Sequence, residues 1–569
     1  MHLFQDLSMW PLVVYQGVLN RLPGWTNDNL TVSIQGATVQ GRSTNGVEAF
    51  TGIPYAQAPV KNLRLRPPQR ITQELGTIDG TGHAMACPQQ KPRQEDFAGI
   101  MDLMSFLGDS GVTVPVPTEQ SEDCLTVTVT RPGGTTSLDR LPVLFYVHGG
   151  GFEIGCTEDN DPADFVRYGI DIGKPFIFVA VNYRINGFGF LPGQRVADEG
   201  VANLGLLDQR LGLEWTADNI ASFGGDPDKV TIWGISAGSI SVFDQMALNN
   251  GNHSHSLTGR PLFHAAIMSS GSMTPAESVS SEKAERVYER VVQAAGCSEA
   301  ANSLKCLREV DYETFHHAVS SLPGPLSYNG LALSYLPRPD GKTLQESPEI
   351  LAREGKYATV PMILGTMEDE GTLISVLQRN LTTTDHLVNY LQGCFFAEAS
   401  SHQMTELVDT YAQGQACVEN GSPFGTGSAN EIFPGFKERS AVIGDVIFIL
   451  MRRLFLKYSA AAYPDVPSWS YMGSFNKGAP VFGTTHGSDT APFFNGNGTV
   501  HAAETLRRHF LNFVYSLDPN ESDDRQSWPR WATSQEQLRV FASETSLIVD
   551  GYRSRAFEWI ADNIGILHV

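Results

Sequence analysis

Phe223-Gly224-Gly225-Asp226-Pro227-Asp228-Lys229-Val230-Thr231-Ile232-Trp233-Gly234-Ile235-Ser236-Ala237-Gly238 decides how this chain is read. A β-rich run, Val230 to Trp233, leads into Gly-x-Ser-x-Gly, and a helix-like run, Ser239 to Leu248, follows. A sharp strand-to-helix turn pushes a serine hydroxyl out of a sheet, and the two glycines allow close packing around it. The helix N-terminus beneath it favours developing negative charge. In a chain with 55 glycines the five-residue motif alone is an ordinary turn; the strand before it and the helix after it give it meaning.

A second motif lies 86 residues upstream of Ser236, counted from Gly150. Leu141 to Val147 reads as a buried strand that runs into His148-Gly149-Gly150-Gly151-Phe152. Successive glycines let backbone N–H groups approach a ligand with no side chain in the way. By itself a glycine triplet is as readily a flexible turn. Paired with the serine motif, it predicts an oxyanion hole from the amides of Gly150, Gly151 and Ala237.

A nucleophilic serine needs a base, and the base needs an orienting acid, here expected in the order Ser, Asp/Glu, His. Thr359 to Leu364 reads as a strand, and Glu368-Asp369-Glu370-Gly371-Thr372 follows it. Spacing does not separate the three carboxylates, and two of them are expected to be a solvated acidic loop. Eleven histidines follow Ser236; His486, in Gly483-Thr484-Thr485-His486-Gly487-Ser488-Asp489, comes after a strand-like run, Trp469 to Phe475. A polar, glycine-bearing loop past a strand can present an imidazole at a sheet edge.

The chain has 569 residues, 41% hydrophobic and 10% aromatic, with no linker, fixed-period repeat or low-complexity tract. This suits one large catalytic domain with long insertions, 31–569, after an N-terminal segment, 1–30. The net charge of −22 argues against nucleic acid and anionic membrane surfaces as partners. No transmembrane anchor is expected: the apolar run Val446–Met451 is closed by Asp445 and Arg452, far short of a span. Met9–Tyr15 is apolar but holds a proline and has no preceding Lys or Arg, a poor secretory signal. Asn29, Asn252, Asn380, Asn420, Asn497 and Asn520 each head an Asn-x-Ser/Thr sequon, the glycosylation signal of an exported protein. Secretion is therefore the expectation, with the ER lumen or an intracellular site as alternatives. Seven cysteines leave at least one unpaired within the chain, and no Cys-x-x-Cys points to zinc.

With Ser236, the glycine loop and His486 in hand, the chain resembles the type-B carboxylesterase/lipase family, and within it the Candida rugosa-type fungal lipases and sterol esterases. The likeness runs from about Thr31 to about Arg553. It includes Glu122-Asp123-Cys124-Leu125, His148 to Gly155, Val181-Asn182-Tyr183-Arg184, Asp208-Gln209-Arg210-Leu211-Gly212 and Tyr335-Leu336-Pro337-Arg338-Pro339-Asp340-Gly341. The resemblance implies an α/β-hydrolase fold, a central mostly parallel sheet flanked by helices. It implies Glu370, directly before Gly-Thr, as the acid, and it supports His486 as the base with Gly150, Gly151 and Ala237 as oxyanion donors. It implies disulfides Cys87–Cys124 and Cys297–Cys306. Cys394 and Cys417 depart from the family and are expected to form a third bridge, leaving Cys156 as a free thiol. A second departure is Ile235, where the family usually carries a glutamate; an apolar residue there removes a negative charge that would favour imidazolium.

The implied reaction is carboxylic ester hydrolysis through an acyl-enzyme, with no cofactor and no metal. The substrate clue lies between Cys87 and Cys124: Phe97, Ile100, Met101, Met104 and Leu107 fall at helical spacing on one face. In the lipases it resembles this segment, here 88–123, is a lid with an apolar inner side. Leu331, Leu333 and Leu336 alternate in a strand-like run that would line an acyl channel or the core. A lipase or sterol esterase acting on long acyl esters at a lipid–water interface is expected; a carboxylesterase for a smaller or secondary-metabolite ester is the alternative. An acyltransferase and a non-catalytic adhesion protein are further readings. The apolar lid would also support a homodimer.

Overall fold

A computed structural model describes residues 30–107, 119–411, 415–494, 500–520 and 527–569. The N-terminal segment through residue 29, Asn29, Asn497 and the stretch 108–118 of the lid candidate lie outside the described residues.

The strands are β1 (Thr31–Ile34), β2 (Ala37–Gln40), β3 (Arg42–Thr44), β4 (Val47–Pro54), β5 (Gly76–Asp79), β6 (Thr126–Pro132), β7 (Leu141–Val147), β8 (Ile177–Val181), β9 (Gly225–Ile235), β10 (Ala265–Ser269), β11 (Met362–Met367), β12 (Ser468–Gly473), β13 (Glu536–Val540) and β14 (Thr545–Val549). Eleven of them form one sheet in the order β14-β13-β12-β11-β10-β9-β7-β8-β6-β4-β3, and β1-β2-β5 form a small second sheet. The run from β13 through β9 and β7 to β8 is parallel throughout. Antiparallel pairs close both ends. The expected mostly parallel, helix-flanked sheet is what forms.

Parallel strands covered on both faces read as near-continuous apolar runs; β7 and residues 265–268 of β10 do, and residues 230–235 of β9 are broken only by Thr231. Their alternate side chains feed two cores. Val143, Phe145, Val230 and Ile232 belong to one. Leu144, Tyr146, Trp233, Ile235 and Ile267 belong to the other, where the Trp233 ring stacks on Phe494 at 5.5 Å. The strand expected over Thr359–Leu364 begins at Met362 instead, because Pro361 has no N–H to give the ladder. The Leu331–Leu336 run is irregular, not a strand; the Tyr335 amide donates to Glu153 Oε1 at 3.0 Å in place of a neighbouring strand.

Disulfides Cys87–Cys124 and Cys297–Cys306 are formed. The third bridge expected between Cys394 and Cys417 is not. Cys394 sits in the turn Leu391–Phe395, whose carbonyls accept from Lys283, while Cys417 lies in the helix Gln415–Asn420 against the Glu438 carboxyl. Their sulfurs face different neighbours. Cys156 is free and buried, and its thiol donates to Asp159. Of the described sequon asparagines, Asn252, Asn380 and Asn420 are exposed. Asn520 is half-buried, and its side chain brackets Trp528, donating to its carbonyl at 3.0 Å and accepting from its amide at 2.6 Å. A glycan on Asn520 Nδ2 would disrupt that bracket.

The lid candidate forms helix α1 (Phe97–Leu107). Its apolar residues do not share one face as the spacing predicts. Leu103 and Leu107 are buried against Val376, Leu377, Phe436 and Phe482. Phe97, Met101 and Met104 point the other way and are 39%, 62% and 36% exposed. Asp102 also pairs with Arg379 at 2.8 Å. Among the described residues no helix is long and apolar enough to cross a membrane.

Candidate active site

β9 ends at Ile235, and helix α2 (Ala237–Gly251) begins one residue after Ser236. Ser236 is held at φ 59°, ψ −126°, a region L-residues rarely visit and which costs about 1–3 kcal/mol. Two things hold it there. Its amide donates to the Ser269 carbonyl at 2.9 Å. The turn is also too tight for side chains: a Cβ on Gly238 would lie 2.0 Å from the Val147 carbonyl oxygen. The two motif glycines expected to permit close packing are therefore required to be glycine by backbone contact.

Three residues from distant parts of the chain meet over this turn. His486 Nε2 is 2.8 Å from Ser236 Oγ, and His486 Nδ1 is 2.6 Å from Glu370 Oε2. An ionised carboxylate only accepts, so Nδ1 carries the proton and Nε2 offers its lone pair to the serine O–H. Glu370 is fully buried, and its other oxygen accepts the Met367 amide at 2.7 Å. The imidazole is also stacked on Phe448, centroids 4.4 Å apart. Phe448 lies in the π-helical turn Asp445–Ile449, between helices α3 (Phe436–Gly444) and α4 (Leu450–Ala462). Such turns re-aim side chains and recur at functional sites. The apolar run Val446–Met451, judged above only for its length, thus carries a site residue that spacing did not reveal.

The three adjacent carboxylates have three separate jobs, and the expected solvated loop is a correction: all are buried. Glu368 pairs with Lys477 at 3.0 Å and with Arg539. Asp369 accepts the amides of Phe424 and Thr484. Burial and the nearby Glu368 push its carboxyl up to about 7. Only Glu370 reaches His486.

Gly150 adopts φ 101°, and a Cβ there would sit 2.1 Å from the Ile154 carbonyl oxygen. The Gly150 carbonyl accepts from the amides of Glu153 and Ile154, so the turn uses its oxygen and not its N–H. Gly151 faces Leu333, whose Cδ2 would be 3.3 Å from an added Cβ. Ala237 opens α2, so its N–H has no carbonyl within the helix. Glu153, from the same glycine block, is fully buried and ties the Tyr335 amide to this loop. Burial holds its carboxyl well above the usual range. Ile235 is buried in the Trp233 core, as its apolar character demands. No group of three or more His, Cys, Asp or Glu among the described residues is arranged to hold a metal ion.

A parallel sheet with a serine on a strained strand-to-helix turn, a histidine on its hydroxyl and a buried acid behind the histidine is the arrangement of an α/β-hydrolase. Residues 28–558 match the Carboxylesterase family, and the chain belongs to it. It is 50% identical over 545 residues to the secreted triacylglycerol lipase LIP1 of Gibberella zeae, covering 95% of this chain and 91% of that one. It is 46% identical to secreted lipase 1 of Botryotinia fuckeliana, covering 95% and 94%. Lipase 5 of Diutina rugosa is 40% identical, covering 88% and 89%. Among solved structures, Aspergillus niger EstA shares the fold with a TM-score of 0.77 at 24% identity, covering 94% of this chain and 98% of that one. The protein is a carboxylic ester hydrolase.

Proposed function

We propose that this protein is a secreted lipase that hydrolyses long-chain acyl esters at a lipid–water interface. Ser236 is the nucleophile, His486 the base that takes its proton, and Glu370 the acid that orients the imidazole and stabilises its charged form. The amides of Gly150, Gly151 and Ala237 receive the tetrahedral oxyanion; losing one such donor typically costs about 10²–10³ in turnover. The leaving alcohol takes the proton from His486, and water then attacks the acyl-enzyme with His486 again as base.

The observation that carries the lipid reading is α1. Phe97, Met101 and Met104 are presented to solvent in one stripe, between cysteines that are bridged, while Leu103 and Leu107 seat the helix. Isolated exposed apolar residues are ordinary, but a stripe of them along one helix in an ester hydrolase suits a lipid surface. The names of the lipases from Gibberella, Botryotinia and Diutina agree with this substrate class, and two of those names with secretion. The same stripe would pair two copies when no lipid is present, which the mass in solution tests.

The test is hydrolysis of p-nitrophenyl esters of rising chain length, above and below their solubility limits, beside a triacylglycerol emulsion, with Ser236→Ala as control. Rates that climb with chain length and at the interface support the proposal. Activity confined to short soluble esters favours a carboxylesterase for a smaller substrate and overturns it.

A further inference from the structure

One row of residues crosses the sheet directly beneath the nucleophile. Ile235 on β9 pairs with Ser269 on β10, Ser269 with Gly365 on β11, and Gly365 with Tyr471 on β12. Residues in register on parallel strands share a face, so all four look into the Trp233 core. A glycine inside a strand weakens it and marks a close approach. Here the approach is the Tyr471 ring, whose Cε1 would be 1.9 Å from a Cβ on Gly365. The missing side chain lets the tyrosine lie across β11 and reach β10, where its hydroxyl is 2.9 Å from Ser269 Oγ.

That contact belongs to a chain of buried polar groups. The Trp233 indole N–H donates to Ser269 Oγ at 3.1 Å. The Tyr471 hydroxyl also lies 3.4 Å from Asp489 Oδ2, on the loop that begins with His486. Trp233, Ser269, Tyr471 and Asp489 are all fully buried. An indole can only donate and a carboxylate can only accept. Ser269 Oγ accepts the Trp233 indole N–H, and the single Tyr471 hydroxyl hydrogen is placed to donate either to Ser269 Oγ or to the Asp489 carboxyl. Ser269 also holds the nucleophile through its carbonyl, which accepts the Ser236 amide. The row therefore links the two halves of the site from below.

We propose that Tyr471 is a positioning residue for ester hydrolysis: its hydroxyl, reaching over Gly365, ties Ser269 under the nucleophile to Asp489 behind the base. This rests on the reading of Ser236, His486 and Glu370 as the catalytic set. Asp489 is the second carboxyl near His486, in a chain that has Ile235 rather than an acid beside the serine. The groups facing it are Glu370, His486, Tyr471 and Tyr146. Burial first, and then Glu370, push the Asp489 carboxyl up to about 7, while His486 and the Tyr471 hydrogen bond pull it down. Asp489 Oδ1 has no hydrogen-bond partner among the described residues, which leaves the tyrosine as the side-chain donor to this carboxyl. Without that donor the Asp489 carboxyl moves further up and holds its proton more tightly at neutral pH, and His486 loses negative charge that favours its protonated form in the transition state.

The test is Tyr471→Phe, which keeps the ring over Gly365 and removes only the hydroxyl, assayed on a soluble p-nitrophenyl ester across pH. The expected result is a fall of about 3- to 10-fold in kcat, the size of one buried hydrogen bond, with KM unchanged and the acid limb of kcat/KM moved to lower pH. Asp489→Asn should shift the limb the same way, and the double variant should be no worse than Asp489→Asn alone. Thermal unfolding of Asp489→Asn at pH 8 should occur no lower than in the wild type, because the amide removes a charge that is costly to bury. Wild-type kcat and pH profile in Tyr471→Phe, or additive losses in the double variant, would overturn the proposal while Ser236→Ala stays inactive. Activity surviving in Ser236→Ala would overturn the catalytic reading itself and this proposal with it.

Discussion

Met101→Ser probes the lid with little risk to the fold. Met101 is 62% exposed and the most exposed of the three stripe residues. Fully burying a side chain of this size is worth about 1.5–3 kcal/mol. Scaled by the exposed fraction, its transfer into lipid contributes about 1–2 kcal/mol, or about 5- to 20-fold in the population bound productively at an interface. Folded-state stability should change by less than about 0.5 kcal/mol, since the residue packs on little. Adding Phe97→Ser and Met104→Ser raises the interfacial loss to about 2–4 kcal/mol on the same scale. The assay is paired: initial rate on an emulsified long-chain triacylglycerol, and kcat/KM on a butyrate ester well below its solubility limit. The emulsion rate should fall by those factors while the soluble rate holds within about twofold. Equal loss on both substrates would refute the lid argument, because it would mean that Met101 serves the chemical site and not the interface.

Other outcomes are open to measurement. Glu370→Gln should lower kcat by about 10⁴, the scale seen when a triad acid is amidated and the wrong imidazole tautomer is favoured, with the fold intact by circular dichroism. Ile235→Glu places a carboxylate in the buried row with Ser269 and Tyr471. It should lower the melting temperature and move the acid limb of kcat/KM to higher pH; unchanged kinetics would show that position 235 does not matter. Reducing Cys87–Cys124, which closes a 37-residue span, should cost about 2–4 kcal/mol by chemical denaturation, with proteolysis first appearing around α1. Asp369 and Asp489 should each make stability fall as pH rises from about 4 to about 7. Asp369 and Asp489 are raised to about 7 by burial, so between the unfolded value near 4 and that point the folded state binds more protons than the unfolded one, and each group removes up to about 1.4 kcal/mol per pH unit. An Asp489→Asn variant whose melting temperature changes with pH over this range as the wild type's does would contradict that sign.

Much of the site was legible because its geometry is imposed by backbone contacts that leave marks in sequence. Gly238 has no room for a Cβ against Val147, so the turn around Ser236 announces itself. Gly150 is equally constrained by Ile154. The acid was not legible from spacing, since Glu368, Asp369 and Glu370 differ only in which long-range partner each meets: Arg539 and Lys477, two loop amides, or His486. The split face of α1 was hidden for a related reason. Periodicity finds apolar residues but cannot tell a stripe seated on Leu377 from one left to solvent. Cys394 and Cys417 were paired as the two cysteines that depart from the family pattern, and only the fold shows that one lies by Lys283 and the other by Glu438. Phe448 and Tyr471 were missed because a stacked ring and a ring crossing a strand leave no local motif. The one trace of Tyr471 was Gly365, a glycine inside an apolar strand.

The most direct test of the account is trapping the acyl-enzyme. A long-chain alkyl p-nitrophenyl phosphonate should release one p-nitrophenol per chain and abolish ester hydrolysis in proportion. Peptide mass analysis should place the adduct on Ser236, and Ser236→Ala should take up none. An adduct on another residue, or ester hydrolysis persisting in Ser236→Ala, would contradict the account.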